Sequence, residues 1–340
     1  MSASEAVLRQ AADQRLAPES RRKLFRRVWR DPATLGGMVI VAVFVLGAVF
    51  APWLASHDPN QTDFLHRFGP VSRGHPLGTD HLGRDELARI LYGGRLSLGM
   101  AVSATAGISL VGVTLGLLAT VYGRLPETII MRLVDMLLSV PTLIQALVVV
   151  GLLGQGLRNL IITVILVQWP RYARLVRGMA LKVRERDFVE AARAAGASRR
   201  RIVLRHMLPN LIGPVVVFST VDMGATLLVV SSLSFLGFGV APPTPEWGSM
   251  LSEARFQIER APQLLLYPGI AITLVVLAFN LAGDGLRDLL DPRTQALERR
   301  ERGGLLRRRS RRAAAPPAPE SNGPTSASSG ERSAPRTAVR

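Results

Sequence analysis

Few residues in this chain could do covalent or redox chemistry. Its 340 residues include no cysteine, which removes thiolate nucleophiles, iron–sulfur ligation and Cys-held zinc. Lys23 and Lys182 are the only lysines among 42 basic residues, and neither follows a glycine, so the Gly-Lys-Ser/Thr of a nucleotide-binding loop is missing. The chain is expected to bind no cofactor and not to hydrolyse ATP itself. His75, Asp80, His81 and Asp85 are metal-ligand types, but their spacing is permissive rather than diagnostic. A Gly- and Asp-rich loop folded on the surface, without a metal, is the expectation there. Charges inside apolar stretches are the other candidates, since such charges face a cavity or a partner. Arg132 and Asp135 stand three apart on one helix face and can pair. Asp222 interrupts an apolar run; pairing within its helix or with another subunit, a place on a water-filled path and a plain interfacial position all stay open to it.

The densest polar pattern is Arg186–Asn210. Asp187 to Ala195 is made of good helix formers, and Gly196 suits a left-handed C-cap. Ser198 can cap a second helix over Arg199–Met207, and Pro209 is placed to open the next apolar run. Ala191, Ala192, Ala194 and Ala195 give a small-residue surface that lets a partner approach closely. The spacing resembles a DNA-binding helix-turn-helix, but apolar stretches tether it on both sides, which argues against that reading. A generic basic loop is the plain alternative.

The elements that must position these residues are membrane helices. Hydrophobic residues make up 48% of the chain and the mean hydropathy is +0.24, yet the net charge is +17. The two are reconciled because apolar and basic residues are segregated. A bilayer core of about 30 Å needs about 20 apolar residues per helix. Six stretches qualify: Pro32–His57, Leu96–Gly123, Met136–Leu157 (entered near Thr128), the shorter Asn159–Pro170, Leu208–Ser232 and Ala261–Gly283. With both termini in the cytoplasm, 31 of the 42 basic residues fall inside and 8 outside, as the positive-inside rule requires. A cleaved signal peptide is disfavoured for the first stretch, whose apolar run is longer than a signal core. Residues 1–31 form a basic, amphipathic cytoplasmic segment suited to anionic lipid. Residues from about 303 are an Arg run followed by Ala, Pro, Ser and Gly, a composition expected to be disordered and to orient the chain rather than to bind nucleic acid.

Four motifs then resemble one family. Glu190-Ala191-Ala192, Gly196 and Leu208-Pro209 resemble the EAA loop of importer-type ABC permeases; His206 stands where Ile is common. His75-Pro-Leu-Gly-Thr-Asp80 with Gly83-Arg84-Asp85, Arg89, Gly93, Arg95 and Ser97 resembles the segment before the second span of the C-type subunit of dipeptide, oligopeptide and nickel permeases. Ser234-Phe-Leu-Gly237 to Trp247-Gly248, and Phe279-Asn280 to Arg293, resemble two later segments of that subunit. The motifs run in order over about residues 30–293.

The resemblance implies an all-α membrane protein with the type I ABC importer permease fold, six transmembrane helices and both termini cytoplasmic. It divides the chain into a basic segment (1–31), the first span with its outer loop (32–95), the permease core (96–293) and a basic tail (294–340). It implies partners as well: a B-type permease subunit, two ABC ATPase subunits that use ATP and Mg, an extracytoplasmic substrate-binding protein and the lipid of a bacterial or archaeal cell membrane. Glu190, Ala191, Ala192, Gly196, Leu208 and Pro209 would then meet the ATPase. A secondary transporter or channel is the competing class, but no convincing internal repeat supports it. Peptides, nickel and sugar- or opine-like solutes all occur as cargo among relatives.

Overall fold

Pro32 opens the first described helix, α1 (Pro32–Val49), where its missing N–H costs little, and the Asp31 carboxylate accepts from Thr34 N at 3.0 Å. The computed structural model describes residues 31–290; the basic segment and the tail expected at the two ends lie outside them. Among the described residues the only β feature is an isolated bridge between Thr79 and Asp85. After the short α2 (Ala51–Leu54), an irregular segment leads to α3 (Glu86–Val121). Then come α4 (Arg124–Leu138), α5 (Thr142–Leu153), α6 (Leu157–Arg184), α7 (Asp187–Ala194) and α8 (Arg199–Ile202). A π turn at Val203–Met207 joins α8 to α9 (Leu208–Leu233), and α10 (Trp247–Ala254) and α11 (Gln263–Leu290) complete the order.

Among the described residues four helical rods are long and apolar enough to cross a membrane: α1, α3, the Arg199–Phe238 rod that contains α9, and α11. The bent pair α4–α5 makes a fifth if it counts as one span. The third apolar stretch, read over Met136–Leu157 and entered near Thr128, falls on this bent pair. The chain turns by 99° between α4 and α5. Pro141 has no N–H to continue the helix and disfavours helical geometry at Val140 before it. Gln145 fills the gap, its Nε2 donating to Leu137 O at 2.5 Å and Val140 O at 2.7 Å. The fourth stretch is also longer than expected. α6 passes through Pro170 and runs on to Arg184, so its second half carries Arg171, Arg174, Arg177 and Lys182.

Small residues set the packing. An added Cβ on Gly112 would lie 2.3 Å from Tyr172 Cβ, and one on Gly116 2.7 Å from Ala173 O. α3 and α6 thus touch nearly backbone to backbone, the contact that drives helix association where lipid is as apolar as the side chains. Met100, Ile108, Val150, Leu160, Val164 and Leu233 fill the core among α3, α5, α6 and α9. Gly37 lets α1 lie on α11, where an added Cβ would meet Leu281 Cβ at 2.8 Å. The outer face of α1 exposes Met38, Val39, Val43 and Leu46, a surface suited to lipid.

Candidate functional site

With two residues between them, α6 ends at Arg184 and α7 starts at Asp187. Asp187 and Glu190 occupy its first turn, where carboxylates meet the positive end of the helix dipole. α7 stops in a double C-cap: Ala197 N donates to Ala192 O at 3.0 Å and Gly196 N to Arg193 O at 3.0 Å. That closure places Gly196 at φ +79°, the left-handed conformation expected of it. Ser198 then caps α8, accepting from Arg201 N at 3.4 Å.

The second expected helix, Arg199–Met207, is not a separate element. It runs through the π turn into α9 as one rod. In a regular α turn the Pro209 ring would collide with the carbonyl of Arg205, and widening the turn relieves this. Leu208 N instead donates to Val203 O, five residues back. Val189, Ile202 and Met207 are buried with Leu117, Val176, Ala180 and Leu211, which fixes the segment to α3, α6 and α9. Glu190, Ala191 and Gly196 stay exposed on the knob and Ala192 is half-buried. Leu208, half-buried, and Pro209, exposed, stand apart at the foot of α9.

The charges within the helices pair across helices rather than along them. Asp135 is bound by Arg174 of α6, not by Arg132 as the three-residue spacing suggested, because α6 lies against α4 and its guanidinium reaches across. Arg177 binds Glu127 of α4 in the same way. Asp222, 5% exposed, pairs with Arg171 at 3.2 Å, an interhelical bridge between α9 and α6. Arg171, Arg174 and Arg177 thus form a ladder with one step every three residues. The residue signal for it was present, but the partners lie on other helices.

The segments before α3 and after α9 build one polar unit. Asp80 shapes its own turn, accepting from Leu82 N at 2.8 Å, Arg84 N at 3.0 Å and Arg84 Nε at 2.6 Å. Arg84 reaches Glu253 at 2.5 Å, and Arg89 reaches the same oxygen at 3.2 Å. Glu86 is buried beside Asp80, Arg84, Arg89 and Glu253, and burial pushes its carboxyl up to about 8. Trp247 seats against Gly93 and Gly94, donating from Nε1 to Ile90 O at 3.0 Å. Ser97 donates to Glu246 at 3.0 Å, and Glu246 caps α10 through Gly248 N and Ser249 N, both at 2.9 Å. A groove of about 410 Å³ between the segments is lined by Asp58, Asn60, Tyr92, Arg95 and Thr244.

Two triplets there could offer ligand atoms within 4.8 Å of one another: His57, His75 and Asp85, and Asp80, His81 and Glu253. In the first, Asp85 already accepts from Ala88 N at 2.7 Å and meets His75 Nδ1 at 2.8 Å. In the second, Arg84 and Arg89 hold the carboxylates and set two cations beside any ion.

Comparison with known proteins agrees with this layout. Residues 112–296 match the family model of the binding-protein-dependent transport system inner membrane component, and residues 21–70 match the N-terminal TM domain of oligopeptide transport permease C. The chain is similar to the dipeptide transport system permease protein DppC of Alkalihalophilus pseudofirmus, with 41% identity over 84% of this chain and 93% of the relative. The di/tripeptide transport system permease protein DppC of Pseudomonas aeruginosa is 41% identical over 81% of this chain and 93% of its own length. The glutathione transport system permease protein GsiD of Escherichia coli is 43% identical over 80% and 90%. Among solved structures, an inward facing conformation of the MetNI methionine ABC transporter covers 60% of this chain and 97% of its own at a TM-score of 0.50 and 19% identity, a likeness of fold. The chain belongs to the binding-protein-dependent inner-membrane transport family and is a multi-pass permease subunit of an ABC importer.

Proposed function

We propose that this permease forms one half of the pathway of an ATP-driven importer for peptides or small peptide-like solutes. It pairs with a homologous B-type permease in a bacterial cell membrane, with six spans and both termini in the cytoplasm. The bent α4–α5 pair supplies the third span and α6 the fourth. Two ATPase subunits bind ATP and Mg, and this chain binds neither. The knob made by α7 and the Gly196 turn docks on one ATPase, with Glu190, Ala191 and Ala192 toward it. Leu208 and Pro209 carry the displacement into α9. An extracytoplasmic binding protein delivers cargo to the unit built from the 56–95 and 235–263 segments.

The observation that carries this reading is the mounting of the knob. An exposed, small-residue helix is anchored by Val189 to the apolar cluster shared by α3, α6 and α9, and it lies in the chain between α6 and the rod that contains α9. A push on it therefore reaches both helices. The peptide assignment rests on the relatives named for dipeptide, di/tripeptide and glutathione transport. The decisive experiment is crosslinking from Ala191→Cys in membranes that contain the whole system. The expected adduct joins this chain to an ATPase and changes on adding ATP. Capture of no ATPase from Ala191→Cys or Ala194→Cys, in protein that is inserted and assembled, would remove the knob from the coupling role.

A further inference from the structure

Arg171 and Asp222 meet near the middle of their helices, each the fifteenth residue of α6 or α9. At 1.5 Å per residue each lies about 21 Å from the start of its helix. A charge so placed is costly against lipid. Asp222 is 5% exposed, but the Arg171 side chain is 37% exposed. Both contacts of the guanidinium use Nη2, one to Asp222 Oδ1 at 3.2 Å and one to Gln168 Oε1. Nε and Nη1 are left for an acceptor from outside the described residues. Gln168 Nε2, Asp222 Oδ2 and the Tyr172 hydroxyl beside Asp222 are buried without a hydrogen bond of standard geometry, so the seam is polar and has donor and acceptor capacity to spare. Arg174, Gly178 and Lys182 are exposed and continue the same stripe of α6 at three- and four-residue spacing. Asp135 and Glu127 already balance Arg174 and Arg177. A charged, exposed stripe that starts mid-helix belongs against water.

We propose that Arg171 is a cargo-contacting residue: its guanidinium, held at one nitrogen by Asp222 and Gln168, faces the water-filled pathway and receives a carboxylate of the passing solute. This rests on the importer reading above. Asp222 is the positioning residue. It fixes the guanidinium and competes for it, which keeps the cargo contact weak enough to release, as transit requires.

The absence of cysteine makes a single introduced thiol a clean reporter. Leu175→Cys stands one turn from Arg171 on the same side of α6. In the complex reconstituted with cysteine-free partners, its rates of modification by an anionic sulfonatoethyl and a cationic aminoethyl methanethiosulfonate are compared. Adding Arg171→Gln is expected to lower the anionic-to-cationic rate ratio about fivefold, and Arg171→Lys to preserve it. The neutral double variant Arg171→Gln/Asp222→Asn leaves no buried charge alone. It is expected to lose about tenfold in kcat/KM for uptake of a dipeptide with a free carboxylate. A thiol at Leu175→Cys that reacts with neither reagent, or an unchanged rate ratio on Arg171→Gln, overturns the proposal. Absence of ATP-dependent peptide uptake by the unaltered complex defeats instead the importer reading, and the rate ratio still decides whether Arg171 faces water.

Discussion

Glu86 enters α3 as its first residue, ten positions before the apolar stretch begins at Leu96, and is 2% exposed. Burial raises its carboxyl from 4.5 to about 8, against the pull of Arg89 and Arg84 and with the push of Asp80 and Glu253. The folded state therefore holds a proton that the unfolded chain releases above about 4.5. Between these two values the native state binds more protons, so stability falls as pH rises toward about 8. Glu86→Gln is expected to flatten that slope, read as the unfolding midpoint in detergent between about pH 5 and about pH 8. An unchanged slope would mean that another group titrates there. Gly196 makes a second test at this scale. An added Cβ at Gly196 meets nothing within 4 Å, so the cost of replacing it is backbone strain alone. Gly196→Val is expected to cost about 1–2 kcal/mol and to uncouple ATP hydrolysis from uptake, whereas Gly196→Asn, tolerant of positive φ, should retain most uptake. Equal uptake by the two variants would show that the turn does not govern coupling. Glu190→Ala should do less, because one exposed ion pair contributes about 0–1 kcal/mol.

At the scale of elements, the contact between α3 and α6 holds the core, and its closeness depends on glycine. Gly112→Leu would drive a side chain into Tyr172, whose Cβ lies 2.3 Å from the added Cβ position. Backbone cannot yield as a flexible side chain does. The variant is expected to lose about 1–3 kcal/mol or more, measured as thermal stability and yield of inserted protein. Gly99, by contrast, has open space around an added Cβ, and Gly99→Ala should be neutral in the same assay. The α4–α5 bend and the α8–α9 rod follow from two prolines used in opposite ways. Pro141 breaks its helix by 99°, while Pro209 is absorbed by a π turn and the rod continues. The difference matters for coupling: a continuous rod passes a displacement on, whereas a bend lets two half-helices move separately.

At the scale of the whole molecule, one chain exposes too much charge along α6 to stand alone in lipid. Native mass measurement after gentle extraction is expected to show a heteromer with a second permease and two ATPases; a transporting homodimer would be the contrary result. The segments before α3 and after α9, joined by Arg84, Arg89 and Glu253, are expected to meet the binding protein as one surface. Glu253 is tied down by two arginines, so crosslinkers belong at exposed Gln61 and Thr244. Removing residues 303–340, which lie outside the described residues, should leave uptake nearly intact.

Much of this was legible along the chain. Apolar runs gave the helices, because a membrane asks each helix for about 20 apolar residues. Gly196 and Ser198 marked helix ends, since capping depends on residues one to four apart, and four motifs carried the family. Tertiary structure alone decided the partners of the charges. Spacing placed Arg132 with Asp135, but helix packing gave Asp135 to Arg174, 39 residues away. It paired Asp222 with Arg171 and brought Arg84 to Glu253 across 169 residues. It also decided how sharply Pro141 bends the chain and whether Pro209 breaks it. The physical reason is common to all of these. Sequence periodicity reports neighbours within a turn or two of one helix, whereas a long arginine side chain reaches whichever carboxylate the packing of other helices brings within range.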